Sequence, residues 1–310
     1  MMKGKAPTVP NEQKFIWLDG ELVDWADANV HITTHALHYG IGFFEGIRSH
    51  ATPQGPALFR LGDHLRRLEQ SAAVYGMTLP FGPDVLADAC CQVVSANGLG
   101  DCYLRPLVFL GEGANPLAAP LRCAVMASVH GPLVGAPKTG GAKAQISAFQ
   151  RYSANAMPPA AKASGQYLNS WIGQTTALQA GYDEAIFLNE TGFVADGWAN
   201  NVFAVARGEL LTPPQWSGGL PGITRDTVLR LAAEDGLTVA ERPLVRSDLY
   251  LAEEVFLTGT ATGVKAVESV DGRRMTAGAP GPVTTRVTGL LNAALTGGSD
   301  AHPEWLEYVS

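Results

Sequence analysis

The apolar positions of this chain change period several times, and each change marks an element. In FIWLDGELVDW (15–25) they alternate with polar residues on both sides of Asp19-Gly20, the pattern of two strands joined by a tight turn. GDHLRRLEQSAAVYG (62–76) shifts to helical spacing, with Leu65, Leu68 and Ala72 on one face and a glycine stop. CYLRPLVFLGEG (102–113) and RCAVMASVHG (122–131) are nearly continuous apolar runs and predict buried strands. AQISAFQR (144–151) predicts a further strand. ASGQYLNSWIGQTTALQAG (163–181) predicts a helix with Leu168, Trp171, Ile172 and Leu178 at helical spacing and Gly181 as its end. EAIFLNETGFVADG and NVFAVARGELLTPP read as strand–turn–strand units, and PGITRDTVLRLAAEDG (221–236) as a second long helix. EEVFLTGTATGVKAV (253–267) is a strand running into a Gly/Thr turn.

One stretch has no period at all. GPLVGAPKTGGAK (131–143) holds four glycines and two prolines and reads as a linker. The chain has 310 residues, and single cores seldom grow past about 250–300, so two domains are expected. The elements predict an α+β architecture: a small amino-terminal domain over 1–133, a linker over 134–144, and a larger strand-rich domain over 145–310.

The net charge of −7 argues against a nucleic-acid or anionic-membrane partner, although a few local arginines can still hold an anionic ligand. No apolar run approaches the roughly 18–20 residues of a membrane span, and the lysine-containing start is followed by no apolar core of a signal peptide. Cys90, Cys91, Cys102 and Cys123 match neither a disulfide framework nor a zinc site, which points to reduced thiols and a cytoplasmic location. His31 and His35 stand four apart, but HITTHALH lacks the glutamate of a metallohydrolase helix, and packed structural histidines are expected, with no metal.

The chemistry-bearing residues lie elsewhere. In PPAAKASGQYLNS (158–170), Lys162 is the only lysine between Lys143 and Lys265, and it sits among small residues. Such surroundings leave room for a flat ligand and for a partly desolvated, nucleophilic amine. GGLPGITRDTV places a glycine turn before a helix, where the backbone N–H groups of Ile223 and Thr224 could cradle a phosphate or simply begin an ordinary helix. LTGTATG (257–263) is a similar Gly/Thr turn. Arg60 and Arg105 interrupt apolar runs, where a guanidinium needs an anion or carbonyls. Asp196 precedes a glycine among apolar neighbours, fit either to cap a turn or to pair with a cation. A lysine, a phosphate cradle, a carboxylate and a nearby tyrosine are together what pyridoxal phosphate requires.

Six motifs then fall into a known order. HALHYGIGFFEGIR (35–48), YLRPL (103–107), PAAKASGQYLNS (159–170), LPGITRD (220–226), LYLAEEVFLTGTAT (249–262) and SVDG (269–272) resemble the branched-chain amino-acid aminotransferases of the class IV, fold type IV pyridoxal phosphate group. The resemblance implies a homodimer or larger assembly that passes an amino group from an L-amino acid to a 2-oxo acid, 2-oxoglutarate, by a ping-pong mechanism. Lys162 matches the Schiff-base lysine and Tyr167 the tyrosine on the cofactor's ring oxygen. Arg60 matches the phosphate-binding arginine, with the N–H groups of Ile223 and Thr224 and with Thr260. Thr260 and Ala261 match the turn for the substrate α-carboxylate. Arg105, with Tyr103 and Tyr39, matches the group for the distal carboxylate of glutamate, and Phe44 an apolar side-chain contact.

The chain also departs from that pattern. Asp196 stands where the family has a glutamate beside the pyridine nitrogen. Ala199-Asn200-Asn201-Val202-Phe203 replaces Gly-Glu-Asn-Leu-Phe, and His130 and Leu133 align with a Trp and a Tyr at the substrate mouth. These changes touch the pocket rather than the cofactor residues, so the reaction type follows from the resemblance more closely than the substrate does. Two alternatives remain open: an enzyme of specialised metabolism acting on a non-standard amino acid, and an aminodeoxychorismate-type lyase.

Overall fold

The computed structural model describes residues 13–129, 140–299 and 301–309. Most of the expected linker, with His130 and Leu133, lies outside the described residues. Seven α-helices are described: α1 (His35–Tyr39), α2 (Leu61–Val74), α3 (Pro83–Ala96), α4 (Tyr167–Gln179), α5 (Ile223–Glu234), α6 (Arg246–Leu251) and α7 (Pro282–Leu295).

The first sheet is antiparallel throughout. Its spatial order is Leu306–Tyr308, Gly55–Phe59, Ile47–Thr52, Cys102–Leu110, Leu121–Val129, Phe15–Leu18 and Glu21–Asp24, with Gly42–Phe44 also paired to Cys102–Leu110. Strands Phe15–Leu18 and Glu21–Asp24 form the expected hairpin, and its turn places Asp19 and Gly20 at φ 49° and 108°. Only glycine adopts such values freely, so Asp-Gly suits the turn. Leu65, Leu68 and Ala72 of α2 are buried with Leu86, Val93 and Val94 of α3 against Ile47, Leu58, Leu104 and Val125 of the sheet. The strand over 306–308 brings the carboxy terminus back to this sheet, beyond what a division at residue 145 anticipates.

The second sheet is mixed, in the order Val194–Gly197, Glu184–Leu188, Ala142–Ile146, Gly263–Val270, Glu254–Gly259, Asn201–Ala206, Glu209–Thr212 and Thr238–Glu241, with Arg273–Arg274 on Gly263–Val270. The period of two decides how Asn201–Ala206 is used: Val202 and Ala204 enter one core, while Phe203 and Val205 pack on the other face with Val228 of α5 and Val287 of α7. Phe203 and Phe256 stack there at 5.0 Å.

Helix α4 departs from the sequence expectation. Its apolar residues Leu168, Trp171, Ile172 and Leu178 point outward, and Trp171 is 67% exposed. The face turned to the sheet carries Ser170, Gly173, Gln174 and Ala177 instead. Close packing explains it: a Cβ at Gly173 would stand 2.3 Å from Phe187 Cζ, so only the small-residue face can approach. The histidines of HITTHALH divide: His31 is exposed beside Thr33 and His38 is exposed, whereas His35 is half-buried and its Nε2 pairs with the Gly113 carbonyl oxygen.

One buried histidine in the first sheet has a consequence for stability. His50 is 7% exposed, its Nε2 has no partner among the described residues, and its Nδ1 lies 3.9 Å from Asp101. Burial, and then the neighbouring Arg48 charge, push its pKa down to about 4. Between pH 6.5 and 4 the unfolded chain therefore binds a proton that the folded chain refuses, and stability falls as pH falls, by up to roughly 3 kcal/mol. Urea unfolding of a His50→Gln variant should show a flatter loss of stability over that range than the parent. Parallel pH profiles would contradict this assignment.

Candidate active site

Lys162 is fixed from both sides of its peptide. Its N–H donates to Ser71 Oγ of α2 at 2.9 Å, and its carbonyl oxygen accepts Phe44 N–H at 3.2 Å. Ala161 and Ala163 flank it, both buried, and Phe43 and Ala163 form a bridge between the two segments. The side chain leaves this wall and donates from Nζ to Tyr167 Oη at 2.8 Å, passing over the Phe44 ring at 5.0 Å. It opens into a pocket lined also by Asp196, Trp198, Asn200 and Leu220.

Asp196 forms the opposite wall and is 8% exposed. Its Oδ1 accepts Arg151 Nε at 2.6 Å, and Arg151 is held in turn by Asn169, Ser170 and the Gly197 carbonyl oxygen. Of the two options open to Asp196, cation pairing is the one observed. Burial pushes the Asp196 carboxyl up, and Arg151 opposes it. Arg151 was not among the residues the sequence singled out. Its only signal was a cation closing the run AQISAFQR.

The anion-binding end is built from backbone. Helix α5 begins at Ile223 with no side-chain cap, and the Ile223 and Thr224 N–H groups have no acceptor among the described residues. A Cβ at Gly222 would stand 1.9 Å from Asn201 Oδ1, so this helix start requires glycine. Neither the Thr260 nor the Ala261 N–H has an acceptor among the described residues. Thr224, Gly259 and Thr260 line a second cavity with Arg48 and His50. Arg48 Nε is buried there without a partner among the described residues, and no local pattern in the sequence distinguishes this arginine.

Two arginines of the α2 region reach this end, and their surroundings differ. Arg60, at φ 53° before α2, gives Nε to Asp63 and Nη1 to Asp226, Thr227 and the Ile223 carbonyl oxygen, and it lies 5.2 Å over the Trp305 ring. It ties α2, α5 and the carboxy-terminal segment together. Arg67 donates Nη1 to the Pro221 carbonyl oxygen at 2.8 Å, beside the start of α5. It also forks onto Glu45 Oε1 and Oε2, and Glu45 accepts His64 Nδ1 as well. Burial alone would push the Glu45 carboxyl up, but Arg67 and His64 reverse this and hold it well below the usual carboxylate range. Arg67 carries Ser71, whose hydroxyl bonds the Arg67 carbonyl oxygen, and Ser71 holds Lys162.

On the remaining side, Arg105 lies 4.5 Å over the Phe44 ring and donates Nη2 to Tyr103 Oη at 3.2 Å, while its Nε has no partner among the described residues. The Tyr103 hydroxyl occupies space that a Cβ at Gly46 would need, at 1.9 Å. Phe44 also touches Tyr167, with ring centroids 4.9 Å apart, so Arg105, Phe44, Tyr167 and Lys162 form one continuous wall. Tyr39 is not on it: its ring stacks on His35 and is 61% exposed.

A flat phosphorylated aldehyde such as pyridoxal phosphate fits this donor set: an amine beside a tyrosine hydroxyl, a buried carboxylate, and backbone N–H groups at two turns that have no acceptor among the described residues.

Comparison with known proteins gives a concordant result. A family model described as amino-transferase class IV matches residues 42–270. The branched-chain-amino-acid aminotransferase of Escherichia coli strain K12 is 41% identical over 301 residues, 96% of this chain and 97% of that one. The crystal structure of the E. coli branched-chain amino acid aminotransferase superposes with a TM-score of 0.92 at 40% identity, covering 96% of this chain and all of that one. The T.th. branched-chain amino acid aminotransferase, complexed with N-(5'-phosphopyridoxyl)-L-glutamate, does so with 0.91 at 40% identity, covering 96% and 99%.

The contrast between the arginines can be measured as cofactor affinity. Arg67→Lys keeps the charge but loses the planar fork, and the apparent Kd for pyridoxal phosphate should rise at least about tenfold. Arg60→Lys should stay within about threefold of the parent. The reverse ranking would assign the cradle to Arg60.

Proposed function

The chain belongs to the class IV aminotransferase family, whose members depend on pyridoxal phosphate, and from that premise we propose that it passes the amino group of a branched-chain L-amino acid to 2-oxoglutarate in two half-reactions at Lys162. The observation that carries this reading is the pocket that sets the Lys162 amine against the buried Asp196 carboxylate, with the Thr224 and Thr260 turns meeting in a second cavity. Near-full-length likeness to branched-chain aminotransferases supports the donor class. The phosphopyridoxyl-glutamate bound in the T.th. enzyme supports glutamate and 2-oxoglutarate as the second pair.

The bound cofactor supplies the electron sink that makes the substrate Cα proton labile. Lys162 Nζ takes that proton and returns it, and Tyr167 Oη, 2.8 Å away, orients the amine for both transfers. With the cofactor bound, Tyr167 would hold the ring oxygen and Asp196 the ring nitrogen, with Arg151 fixing the Asp196 carboxylate so that the shorter side chain keeps one orientation. The N–H groups of Ile223 and Thr224, Thr260 and the Arg67 guanidinium hold the phosphate; Arg60 buttresses that end through Asp226 and Thr227. Thr260 and Ala261, with Arg48 Nε nearby and without a partner among the described residues, bind the α-carboxylate. Arg105 and Tyr103 bind the distal carboxylate of glutamate, while Phe44 contacts aliphatic side chains.

The outward apolar residues of α4, together with Leu37 and Tyr39 of α1 and the 96%-exposed Leu117, support a homodimer in which Tyr39 serves the neighbour's site. No helix among the described residues is long and apolar enough to cross a membrane.

A donor screen against 2-oxoglutarate tests the reading. Leucine, valine and isoleucine should be turned over, and Lys162→Ala should stay folded while losing at least about 10⁴-fold in the half-reaction. Turnover of another amine with none of these three would move the chain to a specialised substrate. Turnover by Lys162→Ala at the parent rate would end the assignment of the lysine.

A further inference from the structure

A second set of buried polar groups lies beneath the Gly259–Gly263 turn and takes no direct part in the chemistry above. Glu184, at the head of its strand, is fully buried. Its Oε1 accepts Lys265 Nζ at 2.6 Å, and its Oε2 accepts Asn200 Nδ2 at 3.3 Å. Asn200 Oδ1 accepts Thr262 Oγ1 at 3.0 Å. The same oxygen lies 3.0 Å from the place a Cβ at Gly259 would take, so the amide packs directly against the first residue of the turn. Lys265 follows Thr262 by three residues on the returning strand. The chain of bonds therefore starts and ends on one hairpin and passes through two other segments of the sheet.

The order of donors and acceptors is not free. An ammonium only donates and an ionised carboxylate only accepts, so Asn200 must present its NH₂ to Glu184 and its oxygen to Thr262. The Thr262 hydroxyl then donates downward, and the Thr262 N–H closes on the Gly259 carbonyl oxygen at 3.2 Å. The N–H groups of Thr260 and Ala261 have no acceptor among the described residues. Burial pushes the Glu184 carboxyl up, and Lys265 opposes that shift. Asn200 also lines the main pocket, so one side chain joins this relay to the site.

We propose that Lys265, Glu184, Asn200 and Thr262 form a positioning relay that holds the Thr260–Ala261 turn in the shape that receives the substrate α-carboxylate. Lys265 acts through the ionised state of Glu184. If the lysine is replaced by methionine, Glu184 takes a proton from solvent and becomes a donor. Asn200 can then turn its oxygen to Glu184 and its NH₂ to Thr262, and the turn loses its single arrangement. The relay rests on the reading of that turn as the carboxylate site.

The test uses holoenzyme titrated with 4-methylvalerate and with its neutral analogue 4-methylvaleramide, followed by calorimetry and by cofactor absorbance between pH 6 and 9. The parent should bind the acid at least about tenfold more tightly than the amide. Equal binding by the parent would overturn the reading of the turn, and the relay with it. Lys265→Met should bind the acid about tenfold more weakly than the parent at pH 6 and recover toward the parent by pH 9, with the amide unchanged. Lys265→Arg should restore parent behaviour. Thr262→Val, a small change on the turn, should lose about tenfold for the acid at every pH. If the parent discriminates but Lys265→Met and Thr262→Val bind the acid within twofold of it, the relay is overturned. Equal losses for acid and amide would overturn it too, because they mark general loosening.

Discussion

The peptide of Lys162 is bonded on both sides by the first half of the chain, and the rest of the site depends on that double attachment. Ser71 of α2 takes its N–H, and Phe44 N–H takes its carbonyl oxygen. The lysine thus belongs in sequence to the second half of the molecule and in attachment to the first. The pocket is the space between that wall and the wall carrying Asp196, Leu220 and Asn200. Ser71 is itself set by the Arg67 carbonyl oxygen, and Arg67 by the fully buried Glu45. An error in α2 would therefore be felt at the amine.

Three buried or half-buried ion pairs surround this pocket: Arg67 with Glu45, Arg151 with Asp196, and Lys265 with Glu184. Pairs of this kind add little net stability, because desolvation offsets the attraction, yet removing one partner costs about 3–5 kcal/mol. Their value lies in direction. Each carboxylate has one cation on a fixed side, so its remaining lone pairs and its neighbours are aimed. Asp196 is held by Arg151 Nε, and Glu184 orients the Asn200 amide.

Much of this was legible beforehand. The period of α2, the Asp19-Gly20 hairpin, the isolated Lys162 and the glycine-led start of α5 all rest on local chemistry, and local chemistry is readable in a sequence. Arg60 and Arg67 show where that ends. Arg60 interrupts an apolar run and looks like the arginine in need of an anion, but Asp63 and Asp226 satisfy it. Arg67 sits in LRRL and looks like a surface charge. Its position was nevertheless readable, since His64, Arg67 and Ser71 recur at spacings of three and four and share a helical face. The outward stripe of α4 was not, because spacing shows which residues share a face and not which face the sheet will take. The Arg151–Asp196 and Lys265–Glu184 contacts join segments far apart in sequence, and neither pattern nor propensity encodes such pairs.

The central claim is that one lysine, held by both halves of the chain, carries the cofactor. Reducing the holoenzyme with borohydride and mapping the labelled peptide tests it most directly. The label should be found on Lys162 alone, in the peptide PPAAKASGQYLNS. A label on Lys143 or Lys265, or no covalent label at all, would contradict the account.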